Sequence, residues 1–231
     1  MSSPPVRLAL VMLLWLLGAA SRALPQQAAP AAGEPLTITT QSLPRWAAHF
    51  PYDFPLHAEG GTPPLRWKVV SGALPPGVEL DAERGRLRGA PSSAGEFYFA
   101  LTVTDSSNPP YERTRSFVLK VVPPLEVVWK QMPKVAGDQI EGSVEISNNT
   151  PEEFDLTVIV VAVNEVGKAF ALGYQHGPMR ANTALMNVPF GSQMNLPRGR
   201  YVVHVDAVAE IPARQAIYRA RLQTEGALQI P

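Results

Sequence analysis

Glu96-Phe97-Tyr98-Phe99-Ala100-Leu101-Thr102-Val103 sets Phe97, Phe99, Leu101 and Val103 at every second position. Successive side chains of a strand point to opposite faces, so this period reads as a half-buried β-strand. Phe117, Leu119 and Val121 alternate in the same way with Ser116, Val118 and Lys120. Further on, Ile140, Gly142, Val144 and Ile146 alternate with Glu141, Ser143, Glu145 and Ser147. Tyr201, Val203, Val205 and Ala207, and then Ala216, Tyr218, Ala220 and Leu222, keep the period. The second half of Phe154–Val163 is apolar at successive positions, which predicts a strand covered on both faces. No segment after the first 23 residues carries an apolar stripe at helical spacing over three turns. The chain is therefore expected to be all-β, built of short strands.

Pro and Gly clusters punctuate the strands: Gly60-Gly61-Thr62-Pro63-Pro64, Pro75-Pro76-Gly77 and Asn108-Pro109-Pro110. Pro123-Pro124 falls between two strands, cannot donate to a ladder and stiffens the chain, so it is expected to divide the protein. The pieces 36–123 and 124–231 each approach the ~100 residues of an immunoglobulin-like sandwich. The expected architecture is two tandem immunoglobulin-like β-sandwich domains.

Met1–Ala23 reads as a cleaved secretory signal peptide. Arg7 gives a positive start, Leu8–Ala20 is apolar, and Ser21-Arg22-Ala23 offers small residues for cleavage, with Ala19-Ala20-Ser21 as another cut. The apolar run is shorter than the ~18 residues a membrane span needs. Leu24–Pro35, rich in Pro, Ala and Gln, reads as a flexible leader. Loss of Arg7 and Arg22 leaves 18 basic against 20 acidic residues, a net charge of −2. That balance provides no footprint for nucleic acid. The 231 residues contain no Cys, which excludes disulfides, thiolate metal sites and Cys nucleophiles. An exported chain without Cys points to a bacterial periplasmic or extracellular protein.

Catalytic chemistry is thinly represented. His49, His57, His176 and His204 include no HxH or HxxxH pair. His204 and Asp206 share a strand face and read as a solvated polar surface. Asp81/Glu83 and Glu152/Glu153/Asp155 are acidic clusters at turns, where solvated acids are the default. Asn148-Asn149-Thr150 is a formal glycosylation sequon, idle in a bacterial source. Trp46, Phe50 and Tyr52 are either an aromatic ligand platform or packing against the second domain.

One string in the first piece is specific in its order. Tyr52-Asp53-Phe54-Pro55-Leu56 leads to Glu59-Gly60-Gly61-Thr62-Pro63-Pro64-Leu65-Arg66-Trp67. Ser71-Gly72-Ala73-Leu74-Pro75-Pro76-Gly77-Val78-Glu79-Leu80-Asp81 and Gly85-Arg86-Leu87-Arg88-Gly89-Ala90-Pro91 follow. Ala94-Gly95-Glu96-Phe97 and Val103-Thr104-Asp105-Ser106 complete it. Over Leu36–Val122 it resembles the He_PIG-type, cadherin-like immunoglobulin modules of bacterial surface and secreted proteins. The resemblance implies a noncatalytic module that spaces, presents or binds.

Within the string, Trp67 is expected in the core, with Arg66 and Lys68 facing out. Pro75 and Gly77 form a rigid turn, Leu80 and Leu87 bury together, and Gly89 ends a strand. Acidic turns of cadherin-like modules make calcium the candidate metal, at Glu59, Asp105 and Asn108. In the second piece, Leu196-Pro197-Arg198-Gly199-Arg200-Tyr201 opens a strand. Tyr201 is there either a tyrosine corner or an ordinary core tyrosine.

The expected function is noncatalytic: protein contacts, adhesion or assembly at the bacterial envelope through an unidentified envelope or extracellular partner. No stable membrane span is expected in the mature chain. One alternative is a carbohydrate-binding or spacer module of the kind that accompanies polysaccharide hydrolases. Another is a periplasmic chaperone-like protein, to which Lys120 and Lys130 near the boundary would contribute a basic pair.

Overall fold

Strands follow the two-residue period through the described residues, 34–231, of the computed structural model. The signal-peptide reading of 1–23 and nearly all of the leader reading of 24–35 lie outside those residues. The first half comprises β1 (Thr37–Ile38), β2 (Trp46–Ala47), β3 (Tyr52–Pro55), β4 (Ala58–Glu59), β5 (Arg66–Gly72), β6 (Val78–Asp81), β7 (Arg86–Gly89), β8 (Gly95–Thr104) and β9 (Glu112–Val122). The second comprises β10 (Leu125–Ala136), β11 (Gln139–Asn148), β12 (Phe154–Asn164), β13 (Ala169–Met179), β14 (Met186–Gly191), β15 (Gly199–Ile211), β16 (Ala216–Gln223) and β17 (Leu228–Ile230). The only helical turn among the described residues is the 3₁₀ segment Pro212–Arg214. The protein is all-β, as the periodicity predicts.

The first sandwich packs a sheet of order β2-β9-β8-β5 against β3-β7-β6, with β1 and β4 paired beside them. Only β2 runs parallel to its neighbour, matching Trp46 to Val121 and Ala47 to Val122. Tyr52, Trp67, Leu87, Phe99, Leu101, Val103 and Leu119 are among the residues that fill the space between the sheets. The second sandwich packs β10-β11-β14 against β13-β12-β15-β16, and β17 also pairs with β15. Along β15, Tyr201, Val203, Val205, Ala207, Ala209 and Ile211 are all buried. This is the antiparallel rule of one face packed and one face wet.

β12 departs from the sequence reading. Leu156, Val158, Val160 and Ala162 are buried, but Ile159 is 44% exposed and Val161 and Val163 are only half-buried. The strand is covered on one face only, because among the described residues no second layer lies outside its sheet. Its outward valines are shaded by the flanking strands β13 and β15. The opposite departure occurs in β8, whose outward Ala100 and Thr102 are buried. Both are small, and the Thr102 hydroxyl lies 2.6 Å from that of Thr114 across the ladder.

Candidate functional site at the joint between the sandwiches

Trp46-Ala47-Ala48-His49-Phe50 divides its side chains between the two cores. Ala48 joins the first core and Trp46 packs against it, while Ala47 and Phe50 belong to the second. Hydrogen bonds hold the segment in this course. The Ala48 N–H donates to Val122 O at 2.9 Å, the His49 N–H to Pro91 O at 2.7 Å, and the Trp46 indole N–H to Phe50 O at 3.2 Å. His49 takes φ +66°, a left-handed bend that turns the chain towards Phe50.

Phe50 is fully buried. Its ring centroid lies 6.1 Å from that of Tyr218, which in turn is 5.9 Å from Phe154. The Arg214 guanidinium sits 4.9 Å from the Phe50 centroid and bonds Glu152 at 2.5 Å. Burial, the dominant cause, pushes the Tyr218 phenol up from its ordinary value. Asn149 adds polar ties to the connecting prolines: its side-chain amide donates to Pro123 O and its N–H to Pro124 O, both at 2.9 Å. Burying one phenylalanine is worth about 1.5–3 kcal/mol, and each aromatic pair adds about 0.5–1.5 kcal/mol. The two sandwiches are therefore joined by a shared piece of core.

Trp67 is 6% exposed between exposed Arg66 and Lys68. A Cβ on Gly85, at φ +61°, would lie 2.5 Å from the indole nitrogen of Trp67. Val78 donates to Pro75 O at 3.0 Å, and Leu80 faces Leu87 in register. Gly77 and Gly89 touch backbone to backbone, since a Cβ on Gly89 would meet Gly77 O at 2.0 Å. Tyr201 is fully buried, and its hydroxyl donates to Pro197 O at 2.7 Å.

The calcium set is dispersed in role. Glu59 and Asn108 are exposed, whereas Asp105 is buried and its carboxylate accepts four hydrogen bonds. The donors are Thr62 N–H (2.9 Å), Ser107 N–H (3.2 Å), Ser107 hydroxyl (2.6 Å) and Tyr111 N–H (2.8 Å). The Ser107 hydroxyl first, and then the backbone donors, hold the Asp105 carboxyl down at about 2. Among the described residues, no group of three or more His, Cys, Asp or Glu is placed to hold a metal.

Other polar groups are spent on local bonds. Asp81 accepts from the Arg84 N–H and pairs with Arg88, and Glu83 bonds Arg66 at 2.7 Å. Lys120 lies 3.9 Å from Glu96, and Lys130 bonds Glu145 at 2.8 Å, so each lysine faces a carboxylate of its own sandwich. Asn148 is 1% exposed, and its amide donates to Glu152 O, Met179 O and Arg180 O, which closes the sequon inside the fold. Asp206 is gripped by Arg219 through two bonds, the main reason its carboxyl lies below the usual range. Beside it, His204, Arg221 and Gln223 line an open depression of 470 Å³.

The β12–β13 register produces one chain that the sequence does not reveal. Thr157 lies opposite His176, their Oγ1 and Nδ1 atoms are 3.0 Å apart, and His176 Nε2 is 3.6 Å from Asp155. These residues sit on an open strand face, half exposed, without the excluded water or the facing pair of N–H donors that acyl transfer uses. Among the described residues, no helix is long and apolar enough to cross a membrane.

The fold and joint define a module of immunoglobulin-type sandwiches. Residues 27–122 match the family model described as Putative Ig domain, He_PIG, which takes in the first sandwich. No curated protein matches the chain. Among solved structures, a putative alpha-galactosidase from Bacteroides fragilis is 21% identical, over 38% of this chain and 17% of that one, with a TM-score of 0.31. Cadherin domains 1–4 of protocadherin gamma B7 are 9% identical over 84% of this chain and 49% of theirs, with a TM-score of 0.36. The alpha-2-macroglobulin of Escherichia coli is 12% identical over 91% and 16%, with a TM-score of 0.34. The chain spans about half or less of the length of each of these three.

Proposed function

We propose that the mature chain is an exported, noncatalytic protein of two immunoglobulin-like domains, 36–123 and 124–231, that makes protein contacts at a bacterial envelope. The observation that carries this reading is the shared core at Phe50. A joint built from buried aromatic rings holds the two sandwiches in one orientation, as a presenting module requires. Export rests on the sequence of Met1–Ala23, and its test is the N-terminus of protein purified from the native host, expected near Leu24. Recovery of intact Met1 would defeat it.

The contact function is tested by inserting a flexible Gly/Ser segment between Pro123 and Pro124. The unaltered protein should retain an envelope protein that the linker variant releases. Equal capture by both, or capture by neither, would defeat the role of the joint. Turnover of an envelope polymer by the purified chain would defeat the noncatalytic reading.

A further inference from the structure

The outward face of the β5-β8-β9 ladder carries a built depression that the joint does not use. Register places Ser71 opposite Ala100, and Ala100 opposite Ser116, in one row. The next row is Tyr98 opposite Val118, and the one beyond is Glu96 opposite Lys120. Ser71, Tyr98, Ser116 and Val118 line a shallow, open depression of 320 Å³.

Two features shape it. A β-bulge interrupts β5 between Val69 and Ser71, and bulges re-aim side chains at the edges of sheets. Gly72 then takes φ +70° so close to the ladder that a Cβ would meet Tyr98 O at 2.1 Å. Only glycine lets the strand end lie there, and it brings Ser71 beside Tyr98. Tyr98 is 62% exposed, yet it is anchored: its hydroxyl donates to Glu96 Oε2 at 2.7 Å. An exposed aromatic ring held by its own neighbour loses less freedom on binding.

We infer that this depression is a binding site for a neutral pyranose sugar. The Tyr98 ring and Val118 offer apolar surface to the C–H face of a sugar ring. Ser71 and Ser116 are exposed and line the depression, so their hydroxyls offer donors and acceptors to the hydroxyls of the sugar. Glu96 and Lys120 lie 3.9 Å apart in the row beyond Tyr98 and Val118, so that end of the depression carries no net charge. The bulge and Gly72 break the regular edge that a peptide strand would need for pairing. This inference is independent of the protein-contact reading, and the two tests fail separately.

The test is native electrophoresis of the mature protein through gels containing soluble mannan, β-glucan or galactan, with methyl hexosides as competitors. The unaltered chain should be retarded in at least one gel and released by the matching methyl hexoside. Tyr98→Ser and Ser116→Trp should each abolish the retardation, both being exposed positions whose thermal midpoints should stay near that of the parent. Tyr174→Ser, which removes an exposed tyrosine of the other sandwich, should leave it intact. Migration unchanged by all three polysaccharides would overturn the inference. So would retardation that survives Tyr98→Ser, or that falls equally in Tyr174→Ser.

Discussion

Phe50 and Tyr218 stand with ring centroids 6.1 Å apart, although one precedes the third strand of the chain and the other lies in the sixteenth. The contact makes the stability of the second core depend on a residue of the first sandwich. Phe50→Ala should cost about 3–5 kcal/mol, the usual range for deleting a buried phenylalanine. Calorimetry should show one coupled transition in the parent and two separated ones in the variant. A single transition at an unchanged midpoint would refute the coupling.

Trp67 is the anchor of the first sandwich, and Gly85 is the residue that admits it. Trp67→Ala should lower stability by about 3–5 kcal/mol. Gly85→Ala should also destabilise, because it combines a left-handed φ with a Cβ 2.5 Å from the indole nitrogen. Urea midpoints check both, and a midpoint unmoved by Trp67→Ala would make the tryptophan a surface platform.

The bond from the Tyr201 hydroxyl to Pro197 O distinguishes a tyrosine corner from simple ring packing. Tyr201→Phe keeps the ring and should cost about 0.5–1.5 kcal/mol, the net worth of one hydrogen bond, with the denaturant slope unchanged. Tyr201→Ala should cost several times more. Equal stability of Tyr201→Phe and the parent would assign the whole effect to the ring.

Asp105 gives the first sandwich a pH dependence of known sign. Its folded carboxyl titrates at about 2, below the roughly 3.9 of an unfolded aspartate. The stabilisation is complete above the unfolded value and is lost as pH falls from about 4 to about 2. Denaturation midpoints should drop through that window in the parent. Asp105→Asn should be less stable at neutral pH and show a shallower fall, and an identical acid profile in the two proteins would dissociate Asp105 from it.

Local sequence carried much of the architecture. Arg66 and Lys68 on either side of Trp67 settle which face of β5 is wet, and that reading needs no partner strand. β12 shows the limit, since Val158–Val163 has the same composition whether or not a second layer covers it. Only the tertiary arrangement leaves Ile159 exposed. Phe50 could be singled out as an aromatic near the boundary, but the core that receives it is assembled from strands far along the chain. The pairing of Thr157 with His176 depends on register, as does the row of Ser71, Ala100 and Ser116. A β-bulge at Val70 leaves no signature in composition.

The division of Trp46–Phe50 between two cores has a consequence for the order of events during folding. The strands of the first sandwich are complete when Val122 has been made, and by then Ala48 and Trp46 have their neighbours. Phe50 does not, because Phe154 and Tyr218 are still to come. A chain that completes its first sandwich first therefore carries an uncovered aromatic ring beside an otherwise finished domain until β16 has docked. During that interval the ring is available to a chaperone or to a neighbouring chain. The vulnerable moment of this protein falls late in folding, at a residue near the beginning of the chain.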